Sequence, residues 1–132
     1  HGLWEGKLEA EIREKWPGLL KNWHYKPEEV IMPEGESIKD VSERSVEAFD
    51  KICLAQKDND FTLLVAHDAV NKTLICNILG IDYSNIWMIK QGNGGITIID
   101  LFKDLNKPPV ISALNITTHL GGIIDSTASG AL

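Results

Sequence analysis

The stretch of sequence that decides the fold is FTLLVAHDAVNKTLICNILG, residues 61–80. Residues 61–66 form a short, continuous and partly β-branched apolar run, which predicts a central strand buried on both faces. Apolar side chains then recur with helical spacing over residues 70–79, and Gly80 supplies a helix stop. The stretch therefore predicts a strand, a polar turn at His67 and a helix, which is the pattern of an α/β domain.

The residues before this unit favour helices. Residues 8–15 and 19–25 predict two short helices separated by Pro17-Gly18, and the proline-containing residues 26–35 predict a surface loop. From Ser37 to about Gln56, apolar residues are spaced three and four apart in a charged segment, which predicts a long amphipathic helix. Ser37 is expected to cap this helix, and Asp40 follows at the position of a capping box.

The residues after the unit predict a small amount of sheet. A short helical stretch is expected at residues 84–88, followed by a glycine-rich turn at residues 92–95. Strands are predicted over residues 96–101 and 109–115, and these two strands are expected to pair. Residues 117–132 show no sustained period and are expected to form an extended tail. With 132 residues in all, we expect one domain.

Composition excludes several classes of protein. The chain carries 13 Lys and Arg against 19 Asp and Glu, a net charge of -6, which argues against a nucleic-acid surface. No apolar run approaches the length of a membrane span, and a cytoplasmic location is expected. The two cysteines, Cys53 and Cys76, form no disulfide framework, and no cluster of metal ligands is visible. We therefore predict neither a metal site nor a cofactor.

His67 is the strongest candidate for a functional residue. One interpretation is a structural histidine satisfied by hydrogen bonds, which is the common fate of an isolated histidine. The other is an anion site, because His67 follows a predicted strand and precedes a helix N-terminus, whose free N–H groups and dipole favour negative charge. Ligands of open α/β sheets bind at such strand ends, which favours the second interpretation.

Other polar residues are weaker candidates. Glu5 has the chemistry of a general acid, although an exposed glutamate is more often simply solvated. Glu36 and Ser37 are placed to contact a substrate from the loop, and the capping role of Ser37 is compatible with this. His24 and His119 have no second ligand at suitable spacing and are interpreted as structural or solvated.

Three motifs, taken in order, resemble the histidine phosphatase superfamily, the phosphoglycerate mutase-like phosphatases and mutases. They are Gly2-Leu3-Trp4-Glu5-Gly6, then Pro33-Glu34-Gly35-Glu36-Ser37 before a helix with Val41 and Arg44, then Leu64-Val65-Ala66-His67 before a helix. The similarity covers nearly the whole chain, including the strand that begins near Asn93. A weaker similarity links residues 115–120 to phosphoglycerate mutase-like proteins of photosynthetic organisms.

The resemblance implies a fold and a chemistry. The expected fold is a three-layer α/β domain with a mostly parallel central sheet. The implied activity is phosphomonoester hydrolysis or mutase-like phosphoryl transfer through a phosphohistidine, with a small phosphorylated metabolite as substrate and no cofactor. His67 matches the second pocket histidine, which stabilises the transferring phosphoryl group. Glu36, Ser37 and Asp68 are expected to line the substrate site.

One family motif is not found in these residues. The family's nucleophile lies in an Arg-His-Gly segment, and no such tripeptide occurs in the 132 residues. Residues 1–132 are therefore interpreted as the C-terminal part of a histidine phosphatase domain, in which self-association or a complementing N-terminal segment is expected. The alternative is a non-catalytic anion-binding or regulatory module. An unrelated doubly wound nucleotide binder is disfavoured, because the glycine-rich fingerprint is missing.

Overall fold

The computed structural model describes residues 1–104 and 106–121. In chain order these residues form four α-helices, then two strands: α1 (Glu9–Lys15), α2 (Pro17–Tyr25), α3 (Ile38–Ala55), α4 (Asp68–Leu79), β1 (Ile96–Asp100) and β2 (Val110–Ile116). Short 3-10 helices occupy Gly2–Trp4, Pro27–Glu29, Tyr83–Met88 and Thr118–Leu120. The chain is thus a mixture of helix and strand in which helices predominate.

The two short helices predicted at the start of the chain are confirmed as α1 and α2. Pro17 does not lie between them as a spacer but is the first residue of α2. Proline suits this position because its fixed φ is helical and its missing N–H has no helical partner there. The chain therefore turns from α1 into α2 at the single residue Trp16.

The long helix α3 begins as its sequence predicts. Ser37 is the N-cap, its Oγ accepts the backbone N–H of Asp40 at 3.2 Å, and Asp40 Oδ2 accepts the backbone N–H of Ser37 at 2.9 Å. These reciprocal bonds satisfy donors that every helix N-terminus leaves open. The capping box thus fixes where the loop ends and where α3 starts.

Helix α4 also has the predicted ends. His67 is its N-cap, and Gly80 follows its last residue in the left-handed conformation, with φ of 65°. Glycine adopts this conformation without a Cβ clash, so it ends the helix at low cost. Helices α3 and α4 pack against each other, and this contact places the start of α4 on a supported surface.

Strands β1 and β2 form an antiparallel hairpin, which confirms their predicted pairing. The glycine turn that precedes β1 is tied to the end of β2, because Asn115 Oδ1 accepts the backbone N–H of Gly92 at 2.7 Å. A Cβ at Gly95 would lie 2.3 Å from the same oxygen, so this turn requires a glycine. The hairpin is therefore closed by a specific polar contact.

The hydrophobic core lies between the four helices and the Tyr83–Met88 turn. Residues 26–35, expected as a surface loop, contribute to this core, since Pro27, Val30 and Met32 are buried. Apart from the 3-10 helix Pro27–Glu29 the segment is the predicted loop, but it does not lie wholly at the surface, because some of its apolar side chains are covered by the adjacent helices. The core cluster comprises Trp4, Ile12, Leu20, Trp23, Val30, Met32, Ile38, Ile75, Cys76, Ile86 and Ile89.

The predicted central strand over residues 61–66 is wrong for this structure. These residues belong to no strand, and Phe61 and Val65 have 100% and 86% of their surface exposed. A strand buried on both faces needs neighbouring strands and covering layers. The described parts of the chain place neither against this segment, so its apolar side chains face outward.

The sheet seen in the described residues is the two-stranded antiparallel β1–β2 pair. The expected mostly parallel central sheet is not among them. Of the expected tail, residues 118–120 form a 3-10 helix, and the prediction for residues 122–132 lies outside the described part of the chain. Across residues 1–104 and 106–121, no helix combines the length and apolar character that crossing a membrane requires.

Candidate functional site

His67 lies at the position that the sequence predicts, directly before α4. Its backbone is extended, with φ of -75° and ψ of 161°, and its carbonyl accepts the N–H of Asn71 at 3.0 Å to start the helix. The side chain makes no capping hydrogen bond, and the residue is exposed. The imidazole is therefore directed to solvent and available to a ligand at the helix start.

The first turn of α4 follows directly on His67. The first N–H groups of α4 have no partners within the helix, and the helix dipole adds partial positive charge there. Asn71 Nδ2 donates to the carbonyl of Ala66 at 3.2 Å, which ties the residue before His67 to the first turn of α4. Hydrogen bonds from Asn71 to the carbonyls of Ala66 and His67 thus hold the backbone at the start of α4.

Asp68, the first residue of α4, forms an ion pair one turn along the helix. Its Oδ2 lies 2.8 Å from Lys72 Nζ, and Lys72 is buried. Its Oδ1 is also buried, and within the described residues it has no hydrogen-bond partner. The Asp68 carboxylate is therefore held against α4 by Lys72.

Glu36 forms a two-pronged ion pair with Arg44 of α3. Arg44 Nε lies 2.6 Å from Glu36 Oε1, and Arg44 Nη2 lies 2.9 Å from Glu36 Oε2. This bond lowers the pKa of Glu36 and raises the pKa of Arg44, because each group stabilises the charged form of the other. Glu36 is thus a fixed carboxylate at the start of α3.

Two of the three motifs are in direct contact. The backbone N–H of Leu3 donates to the carbonyl of Pro33 at 2.8 Å. Gly2 has a φ of 54°, and a Cβ at this residue would lie 2.2 Å from the same carbonyl oxygen. A Cβ at Gly35 would meet Gly2 N at 2.8 Å. We call this contact between residues 2–3 and 33–35 the glycine interlock.

The predicted site residues fall into two groups. Glu36 and Ser37 lie together at the start of α3, beside the glycine interlock, while His67 and Asp68 lie at the start of α4. Among the described residues, no hydrogen bond or ion pair joins one group to the other. The two groups are related through the packing of α3 on α4.

Sequence reasoning missed the partners of these residues. Arg44 belongs to the motif pattern, but nothing in the sequence shows that it pairs with Glu36, which lies eight residues away. Lys72 was not noted, although its spacing of four residues from Asp68 is a usable signal for an ion pair on a helix. Trp87, which packs against Lys72, carries no signal at the sequence level.

The remaining candidates have ordinary roles. His24 is exposed beside Trp87, and His119 Nε2 lies 3.0 Å from the carbonyl oxygen of Gly94. Glu5 is exposed. In the described residues no group of three or more His, Cys, Asp and Glu side chains has the arrangement of a metal site.

The two cysteines have the properties of structural residues. Cys76 is buried, Cys53 is half-buried, and both are free thiols. Burial raises the pKa of both thiols, because it disfavours the charged thiolate. Neither cysteine therefore has the properties of an activated nucleophile.

Comparison with known proteins places this arrangement in a family. Phosphoserine phosphatase 1 of Hydrogenobacter thermophilus is 33% identical over 121 residues, which are 92% of this chain and 56% of that protein. The structure of YhfR from Bacillus stearothermophilus aligns with a TM-score of 0.74 at 25% identity, covering 83% of this chain and 52% of that one.

A third relative was solved with a ligand. A phosphoserine phosphatase variant from Entamoeba histolytica in complex with phosphoserine aligns with a TM-score of 0.62 at 26% identity, over 81% of this chain and 54% of that one. The chain thus spans about half the length of each of these three relatives. The histidine phosphatase superfamily (branch 1) matches residues 1–115, and the chain belongs to this superfamily.

Proposed function

We propose that the protein containing this chain hydrolyses phosphomonoesters, and that His67 binds and stabilises the phosphoryl group during transfer. The observation that carries the proposal is the placement of His67 at the N-cap of α4, exposed and without a capping bond of its own. A phosphoryl group in transfer carries charge on its oxygens, and a preorganised donor beside a helix N-terminus stabilises that charge.

The nucleophile in this proposal lies outside these 132 residues. No Arg-His-Gly tripeptide occurs here, and the relatives named above extend well beyond the aligned part. In the proposed reaction, a histidine from that other segment attacks phosphorus as the bond from phosphorus to the ester oxygen breaks, and a carboxylic acid of the same segment protonates the leaving oxygen. Water then attacks the phosphohistidine, gives its proton to the resulting carboxylate and releases phosphate and the free histidine. His67 holds the phosphoryl oxygens in both steps.

The exposure of residues 61–66 supports the proposal that a further strand pairs with this segment. An apolar segment with Phe61, Leu63 and Val65 almost fully exposed is the surface that an added strand covers. We propose that a complementing N-terminal segment or a second copy of the chain pairs there and completes a mostly parallel central sheet. Where the N-terminal segment is the one that pairs, it also brings the nucleophile to the end of residues 61–66, beside His67.

The substrate is proposed to be a small phosphorylated metabolite. Two of the relatives named above are phosphoserine phosphatases, and this favours water over a second substrate as the acceptor. Glu36 and Ser37 are proposed to border the organic part of the substrate. Asp68 is proposed to contribute its backbone N–H at the first turn of α4, since its carboxylate is engaged with Lys72.

The test is phosphate release from phosphoserine and from p-nitrophenyl phosphate. In the protein containing this chain together with its complementing segment, His67→Ala is expected to lower kcat by about 100-fold or more, because it removes a donor to the transferring group. His119→Ala is the matched control, since the His119 ring lies against the carbonyl of Gly94, and the rate is expected to stay near that of the unmodified protein. Unchanged turnover in His67→Ala would contradict the proposed role.

A denaturing mass spectrum of the purified, folded sample tests the need for a second segment. A second polypeptide in the spectrum supports a complemented phosphatase. If this chain alone is present, we expect weak phosphate binding and no hydrolysis. Rapid hydrolysis by this chain alone would show that the nucleophile lies within these residues and would overturn that part of the proposal.

A second candidate function follows from the missing motif. Without the Arg-His-Gly segment, the same anion site at α4 serves a non-catalytic binding or regulatory module. The two candidates differ in a simple observation, because a binding module takes up phosphate without releasing it from any ester even when its complementing segment is present.

A further inference from the structure

The pair formed by Lys72 and Asp68 has unusual surroundings for an ion pair within one helix. Lys72 is only 7% exposed, and its Nζ lies 2.8 Å from Asp68 Oδ2. The other ion pairs with this spacing on α3, such as Lys51 with Glu47, are exposed. Exposed pairs of this kind contribute little to stability, whereas a buried pair leaves a costly unpaired charge when one partner is lost.

Trp87 fixes the position of the lysine. Lys72 Nζ lies 4.7 Å from the centroid of the Trp87 ring, and Trp87 Nε1 donates a hydrogen bond to the carbonyl of Trp23 at 2.7 Å. Trp23 is buried in the core. The ammonium therefore lies between an anchored aromatic ring and the Asp68 carboxylate, and has little freedom to turn elsewhere.

The location of Asp68 creates an electrostatic conflict. Asp68 is the first residue of α4 and directly follows His67. A carboxylate in this turn is attracted to the same free N–H groups as a phosphate, and its negative charge repels a phosphate dianion. An anion site at this helix start therefore functions only if the carboxylate is held and neutralised.

We propose that Lys72 is a positioning residue that holds and neutralises the Asp68 carboxylate, so that the N-terminus of α4 accepts a phosphate. This inference rests on the proposed function, because it takes the phosphate to bind beside His67. It adds a role for the side chains of Lys72 and Asp68, which do not bind the phosphate directly in this proposal. If the Lys72–Asp68 pair is purely structural, it stabilises α4 without changing the affinity of the helix N-terminus for anions.

The test is titration of the 132-residue chain with inorganic phosphate, followed by the backbone amide signals of Ala69 and Val70. The titration is made at about pH 8, where phosphate is mainly a dianion. Lys72→Met keeps a long apolar side chain against Trp87 and removes the charge, and it is expected to raise the phosphate Kd about tenfold.

Substitution of the other partner, Asp68, is expected to change the phosphate Kd in the opposite direction. Asp68→Asn leaves the Lys72 charge uncompensated, so the phosphate Kd is expected to fall severalfold. The double variant Asp68→Asn with Lys72→Met removes both charges, and its Kd is expected to return to within about threefold of the unmodified chain. A structural pair predicts weaker or unchanged binding for Asp68→Asn, so this sign separates the two roles.

Lys51→Met is the control for overall charge. It removes the same charge from an exposed pair, and its phosphate Kd is expected to stay within about twofold of the unmodified chain. Weaker or unchanged phosphate binding in Asp68→Asn overturns the inference. If circular dichroism shows that Lys72→Met does not fold, the Asp68→Asn result alone tests the inference. Absence of phosphate binding at α4 in the unmodified chain contradicts the proposed function itself.

Discussion

Two regions of this chain carry both motif residues and apolar side chains, yet these side chains have opposite surroundings in the structure. Residues 27–37 contain buried and well-anchored residues, with Val30 1% exposed, a capping box at Ser37 and the glycine interlock at Gly35. Residues 61–67 are exposed throughout, with Val65 86% exposed. The buried side chains of the first region pack within this chain, whereas among the described residues the second region lacks the neighbours that a central strand requires.

The largest expected effect comes from breaking the glycine interlock. Gly2→Ala places a Cβ 2.2 Å from the carbonyl oxygen of Pro33 at a residue with positive φ, so we expect a loss of about 3 kcal/mol in the free energy of unfolding. Urea unfolding measures this loss.

Gly6→Ala is the matched control for that substitution. Gly6 has a φ of 71°, but nothing lies within 4 Å of its Cβ position. Only the backbone strain remains, and the expected cost is about 1 kcal/mol. Equal costs for the two variants would show that the close approach of the two motifs does not hold in solution.

A pair of valines sharpens the comparison between the two regions. Val30→Ala removes two buried methyl groups and is expected to cost about 2 kcal/mol. Val65→Ala changes an exposed side chain, and its cost is expected to stay below about 0.5 kcal/mol in this chain.

The measurement for the valine pair is thermal unfolding in the absence and presence of the complementing segment. When that segment binds, Val65→Ala is expected to become as costly as Val30→Ala, because the side chain is then covered. A Val65 substitution that remains neutral in the complex would place the added strand elsewhere.

A smaller loss than that of Val30→Ala is expected at the cap of α3. Ser37→Ala removes the side-chain half of the capping box and is expected to cost about 1 kcal/mol. Hydrogen bonds from the Ser37 side chain and backbone lower the pKa of Asp40, so ionised Asp40 favours the folded state. This contribution is present above the unfolded pKa and is lost as pH falls through the lower, folded pKa.

The pH dependence gives a direct check on this cap. In the unmodified chain, part of the free energy of unfolding is expected to disappear below about pH 4. In Ser37→Ala the pKa of Asp40 returns toward its ordinary value, and that part of the pH dependence shrinks. A carboxyl NMR titration that finds the same Asp40 pKa in both proteins would exclude the side-chain bond.

The features that sequence reasoning predicted are those fixed by near neighbours. The Ser37 cap, the Gly80 stop and the pairing of β1 with β2 depend on contacts along one helix or across one hairpin. The placement of His67 before α4 follows from the same local logic. The strand at residues 61–66 was predicted from its composition, but its burial depends on neighbours that the described residues do not provide.

The partners of the site residues were harder to predict for the same reason. Arg44 reaches Glu36 across a helix start, and Trp87 reaches Lys72 from a separate turn. The close approach of Gly2 to Pro33 joins residues about 30 positions apart in the chain. Such contacts are determined by packing, and no spacing rule in one sequence reveals them.

The four tryptophans give this chain a selective optical property. Trp4 and Trp23 are buried, Trp16 and Trp87 pack against the same core, and Trp87 carries the Lys72 ammonium on its ring. Residues 61–67 contain no tryptophan. Intrinsic emission therefore reports the integrity of the core and the contact between Lys72 and Trp87, while a fluorophore attached near Phe61 reports strand addition independently.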